Sequence, residues 1–205
     1  MNNTSREFSY VEERFADIQL LRYRLVGFEQ LSLEQKTYIY YLAEATLCGR
    51  DITFDQFGKY NILIRRVLET IITAPHVCHD TPDFKALEVY LKRVWFSNGI
   101  HHHYGQEKFV PDFSKEYFTK TATDCCIKNG TFGDDDEVKR LVACLADVIF
   151  NPDILPKRVN KADGCDIVKT SACNYYEGVS QQEVENFYDT KKKKHGDNSP
   201  SFGLN

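Results

Sequence analysis

The chain is short of basic charge, long apolar runs, flexible linkers and paired-cysteine motifs, and each shortage excludes a class of protein. Lys plus Arg number 26 against 30 Asp plus Glu, a formal net charge of −4. A mildly acidic chain lacks the positive footprint of a nucleic-acid or anionic-membrane binder, so neither is expected as a partner. The longest apolar runs are only a few residues, too short to span a bilayer. Neither a repeat nor a Pro/Gly-rich linker precedes the tail, and apolar residues at 42% against 27% charged argue against disorder. No C-x-x-C, G-x-S-x-G, P-loop or Rossmann glycine pattern occurs, and no His is followed by Glu. The seven cysteines are an odd number and cannot all pair within the chain. They read as reduced structural thiols, adjacent Cys125 and Cys126 included, which points to a reducing, cytoplasmic compartment. Met1-Asn-Asn-Thr4 is no signal peptide.

What is present is mostly helical patterning. Phe8, Val11, Phe15, Ile18, Leu21 and Leu25 recur at three- and four-residue steps and predict a first helix stopping near Gly27. Ser32-Leu-Glu-Gln35 is a capping box for a helix ending at Cys48-Gly49. Asn61–Ala74 carries an apolar face, and Thr81-Pro82-Asp83 opens a further helix through Trp95. Ser97–Pro111 reads as loop, and Ser114 caps a short helix over Lys115–Thr121. Asp134–Glu137 supplies acids at the positive end of a helix reaching Phe150, a solvated face rather than a metal site. Short extended pieces are expected at Asp166–Thr170 and Cys173–Tyr176. Ser180–Glu183 caps a last helix to Thr190, and the lysines from Lys191 read as a polar loop. A large apolar surface on Val138–Phe150 or on the first helix would, if left exposed, favour self-association.

Two clusters invite chemistry. His101-His102-His103 stands within Asn98–Gly105. Three adjacent imidazoles cannot face one point in regular structure, though His101 and His103 can share a face of an extended segment. The readings left open are a loop lining a cleft together with Tyr104, a metal site completed from elsewhere, and simple packing. Glu12-Glu13-Arg14-Phe15-Ala16-Asp17 carries three acids, but Phe15 lies on the apolar stripe and an ordinary amphipathic helix is the simpler reading.

Several segments together resemble dipeptidyl peptidase III. Leu31–Gly49 is similar to its second helix, and Val94-Trp-Phe-Ser-Asn-Gly-Ile-His-His-His-Tyr-Gly105 with Lys108-Phe-Val-Pro111 resembles the bacterial form of its substrate loop. Asn174-Tyr-Tyr-Glu-Gly178 and Ser201–Asn205 fit as well, so the resemblance runs from Phe8 to Asn205. It implies a hydrolase, a zinc metallopeptidase that removes dipeptides from the N-termini of oligopeptides. It also implies an α-rich α+β fold, mostly helices with a few short strands, in the N-terminal part of the lower, substrate-binding lobe. On this reading residues 1–190 are the helical lobe region and 191–205 a polar loop starting the next segment. The family's His-Glu-x-x-x-His motif is absent, and Glu12–Asp17 only mimics its second motif, with Phe15 in place of a basic residue. Zinc is therefore expected in the full-length enzyme and not in this chain, which carries no catalytic or metal residue and is inactive alone. Its partners are oligopeptide substrates and the remaining C-terminal part of the same enzyme. Tyr104 matches the aromatic that lines the family's pocket for substrate N-terminal residues, with His103 and Asn98 as neighbouring substrate-binding candidates. The alternative is a stand-alone helical module that binds peptides or proteins.

Overall fold

The computed structural model describes residues 8–195 and is α-rich with one small sheet. The masses of contact divide it into a unit up to Arg50 and a unit from Asp51.

The first unit opens with an antiparallel hairpin, β1 (Val11–Phe15) and β2 (Ile18–Leu21), not the expected helix. Ala16-Asp17 makes a two-residue connection with Ala16 at φ 48°, the positive φ that primed hairpin turns require. Phe15 then faces Ile18 across the ladder, and both are buried. The three- and four-residue spacing was an accident of apolar residues on both strands; the operative period is two. α1 (Leu33–Cys48) follows a 3-10 turn. Its capping box forms as expected: Ser32 Oγ accepts from the Gln35 amide at 3.2 Å and Gln35 Oε1 from the Ser32 amide at 2.9 Å. None of its residues is buried, although Leu33, Tyr40 and Leu47 share one face; Tyr38 and Tyr41 lie off it.

The second unit holds α2 (Arg50–Phe57, from the last residue of the first), α3 (Asn61–Thr73), α4 (Pro82–Ser97), α5 (Lys115–Asn129), α6 (Asp135–Phe150), α7 (Ile167–Thr170) and α8 (Gln181–His195). Its core is the packed inner faces of α3 to α6: Ile64, Leu68 and Ile71 meet Leu87, Leu91, Phe118, Val142 and Leu145, all 0–1% exposed. The apolar face of Val138–Phe150 is thus covered within the unit rather than left exposed. α5 runs eight residues past the expected Thr121, because Ala122, Cys125 and Cys126 continue the buried stripe begun at Phe118. Cysteine packs there as a small hydrophobe, and burial pushes the Cys126 thiol up to about 12.

Caps set the helix ends. Thr81 Oγ1 accepts from the Phe84 amide, and Ser114 Oγ from that of Tyr117. Asp134 accepts from the Asp136 and Glu137 amides while Glu137 bonds back, so the acids there are a capping box. Asp166–Thr170 is a helical turn, not an extended piece. Asp166 Oδ1 accepts from the Val168 and Lys169 amides at 3.0 Å and also receives the Gln181 amide, fixing the starts of α7 and α8 together. Cys173–Tyr176 is no strand either, although the Ala172 and Cys173 amides donate to Lys157 and Arg158 carbonyls. α8 continues to His195, so the run expected to loop from Lys191 is helical that far. Ser201–Asn205 and Met1-Asn-Asn-Thr4 lie outside the described residues.

Candidate functional site

Ser97 still belongs to α4, and from Asn98 to Pro111 the chain is a loop with isolated bridges pairing His101 with Lys108 and Glu107 with Lys157, fastened to the rest of its unit at several points. At its start Asn98 sits at φ 54° as the C-cap of α4, with the Gly99 amide donating to Val94 O at 3.0 Å. Asparagine tolerates this left-handed position, so its place in the sequence is explained by helix termination. Asn61, 1% exposed, reaches over from α3: its Nδ2 donates to Phe54 O at 3.2 Å and its Oδ1 accepts from the Ile100 amide at 3.3 Å.

The three histidines have three different jobs. His101 is 2% exposed, and its Nε2 lies 2.8 Å from Leu155 O. Because a carbonyl only accepts, Nε2 carries the proton and donates. Its Nδ1 is buried without a partner. Burial above all, and then the charges of Lys108 and Arg158, pull its pKa down to about 4. His102 turns its Nδ1 to accept from the Tyr104 and Gly105 amides at 3.2 and 2.8 Å, closing the tip of the loop. His103 is exposed, packed edge-on against Phe96 with ring centroids 4.9 Å apart. His101 and His103 therefore do not share a face, and the imidazoles do not converge on an ion.

Lys108 closes the loop. Its ammonium donates to Val148 O at 3.0 Å, Ile154 O at 2.6 Å and Asn151 O, the carbonyls around the end of α6. A cation there meets the negative end of the helix, while burial holds its pKa below the usual lysine range. Lys108-Phe109, part of the segment that carries the family resemblance, thus acts as a structural clamp, with Phe109 5% exposed in the core.

Behind the tip lies a cavity of about 760 Å³. Gly105 and Gln106 form one rim, Lys157, Arg158 and Lys161 another, and Phe57, Tyr175 and Tyr176 give it aromatic walls. Arg158 ties rim to rim: Nε donates to Gln106 Oε1 at 2.8 Å, Nη2 to His103 O at 3.1 Å, and the guanidinium lies 4.2 Å from the Phe57 ring centroid. The lining carries three basic side chains and neither carboxylate nor imidazole. Cys173 lies in the wall, but burial raises its thiol above the ordinary range, so it supplies no thiolate nucleophile. Its basic and aromatic lining has the chemistry to receive an anionic group with an apolar body. Tyr104 stands at the outer tip, 86% exposed, directly before the rim residues Gly105 and Gln106. Tyr104, His103 and Asn98 are not among the lining residues; the first two edge the loop, and Asn98 lies back at the helix end.

The residues missed by sequence reasoning are Arg158, Lys157, Lys161 and the aromatic walls. They come from distant stretches joined by backbone pairing of Gln106 with Arg158 and of Arg158 with Cys173. Tyr175 and Tyr176 stand in the Asn174–Gly178 segment that carries the resemblance, and nothing local marks the others.

The Glu12–Asp17 stretch does not form the zinc motif that it mimics. β1 carries a register shift between Val11 and Glu13, so Glu12 sits at a bulge, and it is engaged with Arg22 at 3.1 Å. No protein-family model matches the chain, and no curated protein matches it. Among the described residues no helix is long and apolar enough to cross a membrane.

Proposed function

We propose that this chain is the N-terminal region of a zinc-dependent dipeptidyl peptidase of the dipeptidyl peptidase III family, contributing a peptide-binding wall of the lower lobe and no hydrolytic centre of its own. The observation that carries this reading is the cavity directly behind Tyr104, whose rim is the same loop that bears the resemblance. An oligopeptide would lay a side chain on the exposed face of Tyr104 and a carboxylate against Lys157, Arg158 or Lys161. An aromatic face with a polar tip suits that role, and the basic rim suits an anionic group. Zinc and the general base come from the remaining C-terminal part of the enzyme, the second partner of this reading. Exposed free thiols at Cys48, Cys78, Cys144 and Cys165 favour a reducing, cytoplasmic setting.

The test is peptide binding by the full-length protein carrying Arg158→Ala or Tyr104→Ala. Each is expected to raise the KM for dipeptidyl substrates while zinc content stays that of the parent. An unchanged KM in both variants contradicts the reading. The alternative, a stand-alone peptide-binding module, is favoured by the self-contained core of α3 to α6, and it predicts the same binding defects in a protein without peptidase activity.

A further inference from the structure

A second cluster lies away from the cavity, where the loop after α3 meets α5. Among the described residues, His76, Asp124 and Cys125 bring one ligand atom each to within 4.8 Å of one another. His76 Nε2 lies 2.8 Å from Asp124 Oδ2 and 3.8 Å from Cys125 Sγ. Carboxylate and thiol therefore approach the same imidazole nitrogen. A proton relay needs them on opposite nitrogens, the carboxylate orienting the ring through one while the other takes the thiol proton. Convergence on one nitrogen is the arrangement of ligands around a shared ion.

We propose that His76, Asp124 and Cys125 form a binding site for a borderline-soft divalent cation such as Zn²⁺ or Co²⁺. The donor set decides the class: one imidazole, one carboxylate and one thiolate suit these ions, whereas Mg²⁺ and Ca²⁺ take oxygen ligands. The spacing agrees as well. A tetrahedral ion about 2.3 Å from sulfur and about 2.0–2.1 Å from nitrogen and oxygen sets Sγ···Nε2 near ~3.5 Å and Nε2···O near ~3.3 Å. The two separations at Nε2 are within about half an ångström of these values, and the third, between Asp124 and Cys125, is no more than 4.8 Å. Cys125 is 2% exposed and forms the floor, while His76 and Asp124 are exposed and form the mouth, which leaves a fourth position open to solvent. Adjacent Asp124 and Cys125 are held by α5, and His76 follows Pro75 at the end of α3, so packing of the two helices fixes the geometry.

Lys128 is the competitor. Its ammonium lies 2.8 Å from the same Asp124 Oδ2, and it is more than half exposed, free to swing aside. This gives the site a signature: removing a cation that occupies the carboxylate must tighten the metal.

The experiment titrates Co²⁺ into the reduced whole chain and follows d–d absorption and the near-ultraviolet thiolate-to-cobalt charge-transfer band. One equivalent with a charge-transfer band is expected. Cys125→Ser should abolish the band, and Cys126→Ser should keep it. His76→Ala, which leaves the core untouched, should weaken binding by at least the ~10–100-fold that loss of even an outer-shell partner costs. Lys128→Gln should tighten binding about two- to fivefold, the worth of an exposed ion pair. A missing band, or one that survives Cys125→Ser, or binding that His76→Ala leaves unchanged, overturns the proposal.

Discussion

Lowering the pH should unfold this protein through His101 before its carboxylates are exhausted. The imidazole is neutral in the fold, its Nε2 donating to Leu155 O and its Nδ1 buried with nothing to receive a proton. Protonation would place a charge and an unmet donor in the core beneath the loop. The folded pKa is about 4 against 6.5 for the free group, so between those values the unfolded chain binds the extra proton and stability falls as pH falls. Linkage gives a loss of about 2 kcal/mol between pH 7 and pH 5, rising to about 3 kcal/mol at pH 4. The contribution is complete and flat only about one pH unit above the free value of 6.5. The assay is urea unfolding at pH 7 and pH 5 followed by the single tryptophan, Trp95 on α4, for the parent and His101→Gln. The variant should be less stable at pH 7 but lose about 2 kcal/mol less than the parent on going to pH 5, since acid titration of the carboxylates is common to both. Equal losses in both proteins would refute the reasoning, as would an NMR titration placing His101 near its free value.

Two further predictions concern the scaffold of the loop. Asn61→Ala leaves the Ile100 amide without its acceptor and opens a gap beneath Gly58 and Gly99, and it should cost about 1–3 kcal/mol in denaturant melts; a change within about 0.5 kcal/mol, the range of a surface substitution, counts against it. Lys108→Met removes the ammonium from three carbonyls at the end of α6 and should cost about 1–3 kcal/mol, with faster amide exchange at Asn151–Ile154; unchanged exchange there would show that the clamp is not needed.

The legible parts of the fold were those with local signals. Thr81-Pro82, Ser114, Asp134–Glu137 and Ser180–Glu183 each carry their cap chemistry in a few adjacent residues, and every one starts a helix where expected. The hairpin was misread because Phe15 and Ile18 are three apart in a helix but also paired partners across a two-residue turn, and only the positive φ at Ala16 separates the cases. The full length of α5 was hidden because its second half is buried through Ala122, Cys125 and Cys126, which carry little apolar signal. At the loop, Tyr104 stands on an exposed tip outside the cavity lining, Asn98 ends a helix and His101 supports the fold. The basic rim and the His76–Asp124–Cys125 cluster are products of tertiary packing across 48 or more residues, for which no spacing rule exists.

The most direct test of the proposed function is product analysis. Incubate the full-length protein with oligopeptides of defined sequence and identify the products by mass spectrometry, for the parent and Tyr104→Ala. The account predicts dipeptides released from the N-terminus, with Tyr104→Ala raising KM while the products and the zinc content stay the same. Single amino acids, internal fragments or intact peptide from the parent protein would contradict it.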